Sequence, residues 1–269
     1  MIGVAQPDFL DHVLVGEKIK LDDGKTGGVI RSVDADKITV EIVQARVKGS
    51  TLRAEKGINL PESELQVSPL TPDDISALNF VAKNADMLGY SFVRTEGDIY
   101  DLQLRLEKLG AENIGIVLKI ETRQAFEQLP SLLLAAMHSP RIGVMIARGD
   151  LAVECGHKRL AEVQEEILWI CEAAHVPVIW ATQVLESLAK EGVPSRSEIT
   201  DAAAGVRAEC VMLNKGPYIV KAVGTLNDIL RRMEGHQQKS RSTLRRPRLA
   251  ELFQPTDQNG RVAMAASAK

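Results

Sequence analysis

Three short apolar runs in the middle of the chain share one pattern. Residues 114–121, 142–150 and 176–183 are rich in apolar and β-branched side chains, and each run ends in charged or hydrogen-bonding groups. This pattern is typical of a strand that is buried on both faces, and the strands of parallel sheets are buried on both faces. Function in such sheets collects at the carboxyl ends of the strands. The pattern therefore predicts a parallel sheet with its chemistry at one end.

Strand and helix patterns alternate from Thr71 onward. Thr71 is suited to cap a first helix that has Pro72 at its start and acidic residues in its first turn. The predicted strands are 87–93, 114–120, 142–147, 176–181 and 210–213, and the further predicted helices are 98–109, 122–136, 158–174, 198–207 and 217–234. Repeated strand–helix units with short loops are typical of a parallel α/β fold.

The region before this alternation has a period of two. Polar and apolar residues alternate from Gly16 to about residue 56, and Asp-Gly and Asp-x-Asp turns separate the runs. We predict a short segment at 1–15, a β-rich cap domain at 16–68 and an α/β domain at 69–234, with residues 56–61 leaving the β unit. The basic stretch at 235–269 is predicted to be a disordered tail.

Composition narrows the class of protein. The 269 residues are 45% hydrophobic and 26% charged, and the net charge of -3 gives no general attraction to nucleic acid. The chain lacks an apolar run of about 18 residues and a secretory leader, so we expect a cytoplasmic protein. Its three cysteines lack metal-like spacing and are expected to be buried thiols.

The strand ends carry candidate chemistry. Glu121 and Asp150 are carboxylates that suit Mg²⁺ or Mn²⁺, and Lys119 shares the side of its strand with Glu121. A structural ion pair explains the same three residues equally well.

Other polar groups at these strand ends are less specific. Gly149 allows close backbone approach, and amides near Asp150 are suited to hold a carboxylate, although a tight turn also explains the glycine. Thr182 is a hydroxyl donor or a simple cap. Arg148 is expected to form a structural salt bridge, and Cys155 lacks a nearby base for nucleophilic catalysis.

Seven runs, in order and over residues 16–234, resemble the pyruvate kinase family. They are Leu21-Asp-Asp-Gly24, Lys56-Gly-Ile-Asn-Leu-Pro61, Ser91-Phe-Val-Arg94, Lys119-Ile-Glu121, Met145-Ile-Ala-Arg-Gly-Asp-Leu151, Ala181-Thr-Gln-Val-Leu-Glu-Ser187 and Pro194-Ser-Arg-Ser-Glu198. Each run is weak alone, and the ordered set is a specific signal. The resemblance implies an incomplete TIM-type (β/α) barrel with a small antiparallel β-barrel cap domain.

The resemblance also implies phosphoryl transfer from phosphoenolpyruvate to ADP, giving pyruvate and ATP. It assigns the divalent metal to Glu121 and Asp150, and charge stabilisation to Lys119. Gly149, Asp150 and Thr182 would bind the pyruvate carboxylate, with Thr182 also guiding protonation. Positioning and charge neutralisation do most of such chemistry. A K⁺ site belongs to the family, but its ligands are absent here.

The sequence departs from the family in several places. The first three barrel strands and the regulatory domain are absent, and Asn214-Lys-Gly-Pro-Tyr218 follows the last strand where the family has Ser-Gly-Glu-Thr. We therefore expect impaired phosphotransfer, and a homo-oligomer or a partner chain that completes the barrel. The alternatives are a metal-dependent lyase or aldolase acting on pyruvate enolate, and a non-catalytic fragment or binding module.

Overall fold

Two sheets organise the part of the chain that the computed structural model describes, which is residues 2–4, 7–54, 56–65 and 67–237. The strands are β1 (Lys18–Leu21), β2 (Thr26–Val33), β3 (Ile38–Gln44), β4 (Ile58–Asn59), β5 (Met87–Tyr90), β6 (Gly115–Ile120), β7 (Ile142–Ala147), β8 (Val178–Ala181) and β9 (Cys210–Val211). The helices are α1 (Pro72–Asn84), α2 (Glu96–Lys108), α3 (Arg123–Glu127), α4 (Leu129–Ala136), α5 (Arg148–Cys155), α6 (His157–Ala173), α7 (Glu186–Glu191), α8 (Arg196–Ala204) and α9 (Ile219–Gln237).

The second sheet is parallel and has the order β5-β6-β7-β8-β9. Within the described residues, β5 and β9 are its two edges, so the sheet does not close on itself. The predicted α/β class with an incomplete barrel is therefore confirmed.

One face of the parallel sheet is fully buried, and the other is partly exposed to solvent. Leu118, Ile120 and Ile146 are fully buried in the main hydrophobic core, together with residues of the helices. Val117 and Met145 alternate with them on the opposite face and are only half-buried. Burial on both faces, which the sequence predicted, is thus incomplete in the described part of the chain.

The helices begin where the sequence supplies caps. Thr71 is confirmed as the cap of α1, and reciprocal capping boxes also open α2 and α8. The single predicted helix at 122–136 is instead two, α3 and α4, and Pro130 lies in the first turn of the second. A proline has no N–H to continue the preceding helix but fits a first turn, which accounts for the break.

The N-terminal sheet is antiparallel, with the order β3-β2-β1-β4. The prediction that residues 56–61 leave the β unit was wrong, because β4 pairs with β1 and places Lys20 opposite Asn59. Among the described residues the pairing does not return from β4 to β3. Phe9 and Val13, from the predicted short segment, pack into this sheet's own core beside Ile30.

The last described element is α9, which ends at Gln237 and not at the predicted residue 234. The rest of the predicted basic tail, residues 238–269, lies outside the described residues. None of the helices in the described ranges combines the length and apolar character needed to cross a membrane.

Candidate active site

The parallel register brings the three predicted polar strand ends to one level. Ile120 of β6 lies opposite Ile146 of β7, and Ala147 of β7 lies opposite Ala181 of β8. Glu121 directly follows β6, and Thr182 directly follows β8. Hydrogen-bonded strands lie about 4.8 Å apart, so side chains at these positions share one space.

Lys119 and Glu121 are in direct contact. The Nζ of Lys119 lies 2.8 Å from Oε1 of Glu121 and donates a hydrogen bond to the Oγ of Ser91 at 2.7 Å. Their shared side of the strand, predicted from the spacing, explains the contact. The ammonium therefore joins the ends of β5 and β6, where a negatively charged ligand would meet a fixed positive charge.

Glu121 is a buried carboxylate with two different neighbours. Its Oε2 accepts a hydrogen bond from the backbone N–H of Phe92 at 2.6 Å, and the residue is 3% exposed. Burial raises the pKa of Glu121, Lys119 and the Phe92 amide lower it, and the negative charge of Asp150 raises it further. Each carboxylate oxygen has a second lone pair, so these contacts leave capacity for a cation.

Asp150 stands in the first turn of α5, directly after β7. Its Oδ1 accepts a hydrogen bond from Nδ2 of Asn59 at 3.4 Å, which links the N-terminal sheet to the site. Asn59 is 6% exposed although it is polar. A Cβ added at Gly24 would lie 3.4 Å from Cγ2 of Val153, so this turn of the N-terminal sheet approaches α5 closely.

Thr182 and Gly149 meet through a hydrogen bond. The N–H of Gly149 donates to Oγ1 of Thr182 at 3.0 Å. In this arrangement the Gly149 amide is engaged by the threonine, so a bound carboxylate would compete with it. The hydroxyl hydrogen of Thr182 stays available for donation, because the contact uses the oxygen as an acceptor.

The donor set fits a hard divalent cation. Glu121 and Asp150 offer carboxylate oxygens at neighbouring strand ends, and such ions usually keep waters or substrate oxygens as their other ligands. Within the described ranges, no group of three or more His, Cys, Asp and Glu side chains is arranged to hold a metal. A cation held by Glu121 and Asp150 would take its remaining ligands from water or substrate oxygens.

Three polar residues join the site that the sequence did not single out as site residues. Ser91 contacts Lys119, Asn59 contacts Asp150, and Arg148 binds the carbonyl oxygens of Ala181 and Thr182. Ser91 directly follows β5, which ends at Tyr90, but the predicted strand 87–93 continued past it, so its position at a strand end was missed. Asn59 had no such signal, since its role depends on how the two sheets pack.

The nearby cysteine has no catalytic environment. Burial raises the pKa of the Cys155 thiol to about 12. The thiolate is the nucleophilic form of cysteine, so this group is inert at neutral pH.

Comparison with known proteins gives one consistent result. The family described as pyruvate kinase, barrel domain, matches residues 1–223. Pyruvate kinase of Geobacillus stearothermophilus is 34% identical over 240 residues, which is 87% of this chain and 40% of that protein. Pyruvate kinase of Bacillus licheniformis is 32% identical with the same two coverages. Pyruvate kinase PKLR of Rattus norvegicus is 33% identical over 82% of this chain and 38% of its own length.

The chain thus spans about two-fifths of the length of the curated relatives it matches. The matched segment includes both sheets and every site residue described above.

Proposed function

This chain belongs to the pyruvate kinase family, and on that premise we propose that its site takes part in phosphoryl transfer from phosphoenolpyruvate to ADP, giving pyruvate and ATP in glycolysis. The observation that carries the proposal is the Lys119–Glu121 contact beside Asp150, at the aligned strand ends. Phosphoryl transfer needs little covalent help from a protein, and a fixed array of charges is its main requirement.

In the proposed reaction Lys119 binds an oxygen of the transferring phosphoryl group and of the enolate, where negative charge develops. Its contacts with Ser91 and Glu121 support this role, because they fix the ammonium before substrate arrives. Thr182 and the backbone at Gly149 and Asp150 bind the pyruvate carboxylate. Thr182 also guides protonation of the enolate, since its hydroxyl hydrogen is not used in the contact with Gly149.

We assign the divalent metal, Mg²⁺ or Mn²⁺, to Glu121 and Asp150. When bound, the cation supplies charge neutralisation for phosphoryl and enolate oxygens. The burial of Glu121 supports the assignment, because a buried carboxylate is stabilised by a nearby cation. A potassium requirement is proposed on family grounds alone, and no residue of this chain is assigned to it.

Family membership favours the transferase over the lyase or aldolase alternative. The N-terminal sheet adds to this preference, because it contacts Asp150 through Asn59, and we propose that it covers a second substrate such as ADP. The third possibility is a non-catalytic role, which predicts that neither reaction takes place.

We also propose that the parallel sheet is completed by another copy of the chain or by a partner chain, and that the protein works in the cytoplasm. The open edge at β5 supports the first point, because Met87 on that strand is 63% exposed. Unpaired backbone at a sheet edge is a template for pairing with another chain.

The test is pyruvate formation from phosphoenolpyruvate and ADP, coupled to a reporter enzyme. Metal-dependent turnover that is lost in Lys119→Met supports the transferase. Release of pyruvate from a hydroxy-keto acid, without turnover of phosphoenolpyruvate, would favour the lyase instead. Absence of both reactions in every assembly state would favour the non-catalytic reading.

A further inference from the structure

The turn after β8 contains three non-glycine residues in the left-handed region. Thr182, Gln183 and Leu185 have φ angles of 65°, 57° and 47°. Side chains with a Cβ are disfavoured in this conformation, and such residues persist only where their surroundings hold them. The turn also carries the Thr182 hydroxyl of the proposed site, so whatever holds it affects the site.

Arg148 makes the contacts that hold this turn. Its Nε donates to the carbonyl oxygen of Ala181 at 2.7 Å, and its Nη2 donates to the carbonyl oxygen of Thr182. Its Cζ lies 4.6 Å from the centre of the Trp180 ring, and the residue is 7% exposed. A guanidinium is a planar, rigid fork, so it fixes two consecutive carbonyl groups in one geometry, whereas a lysine ammonium is a point charge on a flexible stem.

Asp201 of α8 orients the same guanidinium. Nη1 of Arg148 donates to Oδ1 of Asp201, and the two form an ion pair. A buried cation is costly without a counter-charge, so the carboxylate both neutralises Arg148 and limits its rotation. The pair connects α5, the end of β8 and α8.

The backbone amide of Gly149, the residue after Arg148, completes the arrangement. Arg148 is the first residue of α5, and the next residue is Gly149, whose N–H donates to Oγ1 of Thr182. The side chain of Arg148 thus binds the Thr182 carbonyl, while the following amide binds the Thr182 hydroxyl. These contacts form a closed ring between the start of α5 and the turn after β8.

We infer that Arg148, oriented by Asp201, is a positioning residue that sets the Thr182 hydroxyl against the start of α5. It fixes the spacing between Thr182 and Asp150 before a ligand binds, and it does not itself touch the substrate. The geometric part of this inference stands on the contacts alone. Its consequence for ligand binding rests on the proposed function.

The first test measures amide hydrogen exchange of Gly149 by NMR in the full chain labelled with ¹⁵N-glycine. Arg148→Lys keeps the charge but removes the planar fork, and Thr182→Val removes the acceptor. In both variants we expect Gly149 to exchange about tenfold faster, as for the loss of one hydrogen bond. Arg207→Lys is the matched control, because Arg207 pairs with Glu165 of α6 and makes none of the contacts to the turn.

Unchanged exchange of Gly149 in Arg148→Lys would overturn the inference. A uniform rise across all glycines would also overturn it, because it would mean that Arg148 supports the whole fold and not this turn. If Arg148→Lys does not fold, Asp201→Asn serves as the milder variant. In that variant a local rise at Gly149 supports the inference, and no rise overturns it.

The second test uses Mn²⁺ and oxalate, a small dianion that resembles the carboxylate and adjacent oxygen of enolpyruvate. We expect Mn²⁺ alone to bind wild type and Arg148→Lys equally. Oxalate should bind Arg148→Lys and Thr182→Val about tenfold more weakly, and the double variant should lose no more than either single variant. Additive losses would overturn the inference. If the wild type binds neither probe, the proposed function fails, and the exchange measurement still decides the positioning role.

Discussion

The ammonium of Lys119 lies 2.8 Å from the carboxylate of Glu121, and the two residues are separated by one position at the end of the same strand. The contact alone fits both a structural ion pair and a catalytic charge. The residues around this contact distinguish the two interpretations. Glu121 is 3% exposed, and this burial raises its pKa, to which the negative charge of Asp150 adds in the same direction. One ammonium beside two carboxylates leaves negative charge that a cation would balance.

Replacing Lys119 with Met should abolish most catalysis and leave the fold intact. The Met side chain fills similar space, but the fixed positive charge for the phosphoryl oxygens is lost. We expect turnover to fall by at least ~100-fold, because preorganised charge is a large term in such reactions. Pyruvate formation and the melting temperature are measured together. Lys190→Met, which removes an exposed pair with Glu186, is the control. A collapse of stability in Lys119→Met would point to a structural ion pair.

Glu121→Gln should weaken Mn²⁺ binding, because the amide keeps the shape but loses the charge. We expect the affinity for Mn²⁺ to fall at least about tenfold. Electron paramagnetic resonance, which detects free Mn²⁺, measures this affinity. Glu165→Gln removes a carboxylate that pairs with Arg207 and not with the site residues, so it should leave the affinity unchanged. Equal affinity in Glu121→Gln and wild type would refute the metal assignment.

The candidate site was partly predictable because it depends on strand periodicity. A Lys and a Glu two positions apart share a side in any strand, and parallel strands end at one level, so Lys119, Glu121 and Thr182 followed from the pattern. Asn59 and Asp201 did not follow. Their contacts depend on how the cap and α8 pack against the sheet, and local periodicity carries no such information.

The fold shows the same division. The strand–helix alternation and the capping residues predicted the α/β class and the start of α1. Two short helices at strand ends, α5 and α7, were not predicted as separate elements, because six to eight residues give too little periodicity. The two-residue strand β4 was missed for the same reason, since only its pairing with β1 defines it.

The open edges of the parallel sheet predict self-association. Size-exclusion chromatography with light scattering should show an oligomer or an expanded species, because β5 exposes Met87 and unpaired backbone. Met87→Lys on this edge should shift the population toward smaller species, since charge on an edge strand opposes pairing. The matched control is Leu134→Lys, at an exposed apolar position on α4 away from the edge strand. A compact monomer in the wild type would contradict the proposal.

Glu154→Gln should stabilise the protein at neutral pH. Burial raises the pKa of Glu154 above its usual value of 4.5, Asn59 lowers it and the charge of Asp150 raises it. The folded state therefore holds the proton more tightly than the unfolded chain. The resulting stability is complete below the unfolded pKa and is lost as pH rises through the folded pKa.

The glutamine variant has no such loss, so its advantage in melting temperature should be small near pH 4 and should grow toward about pH 7. Thermal unfolding of the two proteins across this range provides the measurement. An advantage that shrinks as pH rises would show that the sign is wrong.

Gly216 is required by a close approach of two backbone segments. A Cβ at this position would lie 2.2 Å from the carbonyl oxygen of Ala189, in the helix α7. Gly216→Ala should therefore destabilise the protein by about 1–3 kcal/mol. Gly224 in α9 has nothing within 4 Å of its Cβ position, so Gly224→Ala should instead stabilise by about 0.5–1 kcal/mol. Chemical denaturation of both variants tests the pair, and equal effects would rule out the steric explanation.

The hydrogen bond from Asn59 to Asp150 also makes the site in the parallel sheet depend on the N-terminal sheet. The N-terminal sheet has its own small hydrophobic core and in this respect resembles an independent domain. Its removal would nevertheless take away a hydrogen-bond partner of Asp150 and uncover Val153 on the same helix. The boundary between the two sheets therefore passes through the site, and a shortened protein without the cap would have an altered Asp150 environment even if its α/β part folded unchanged.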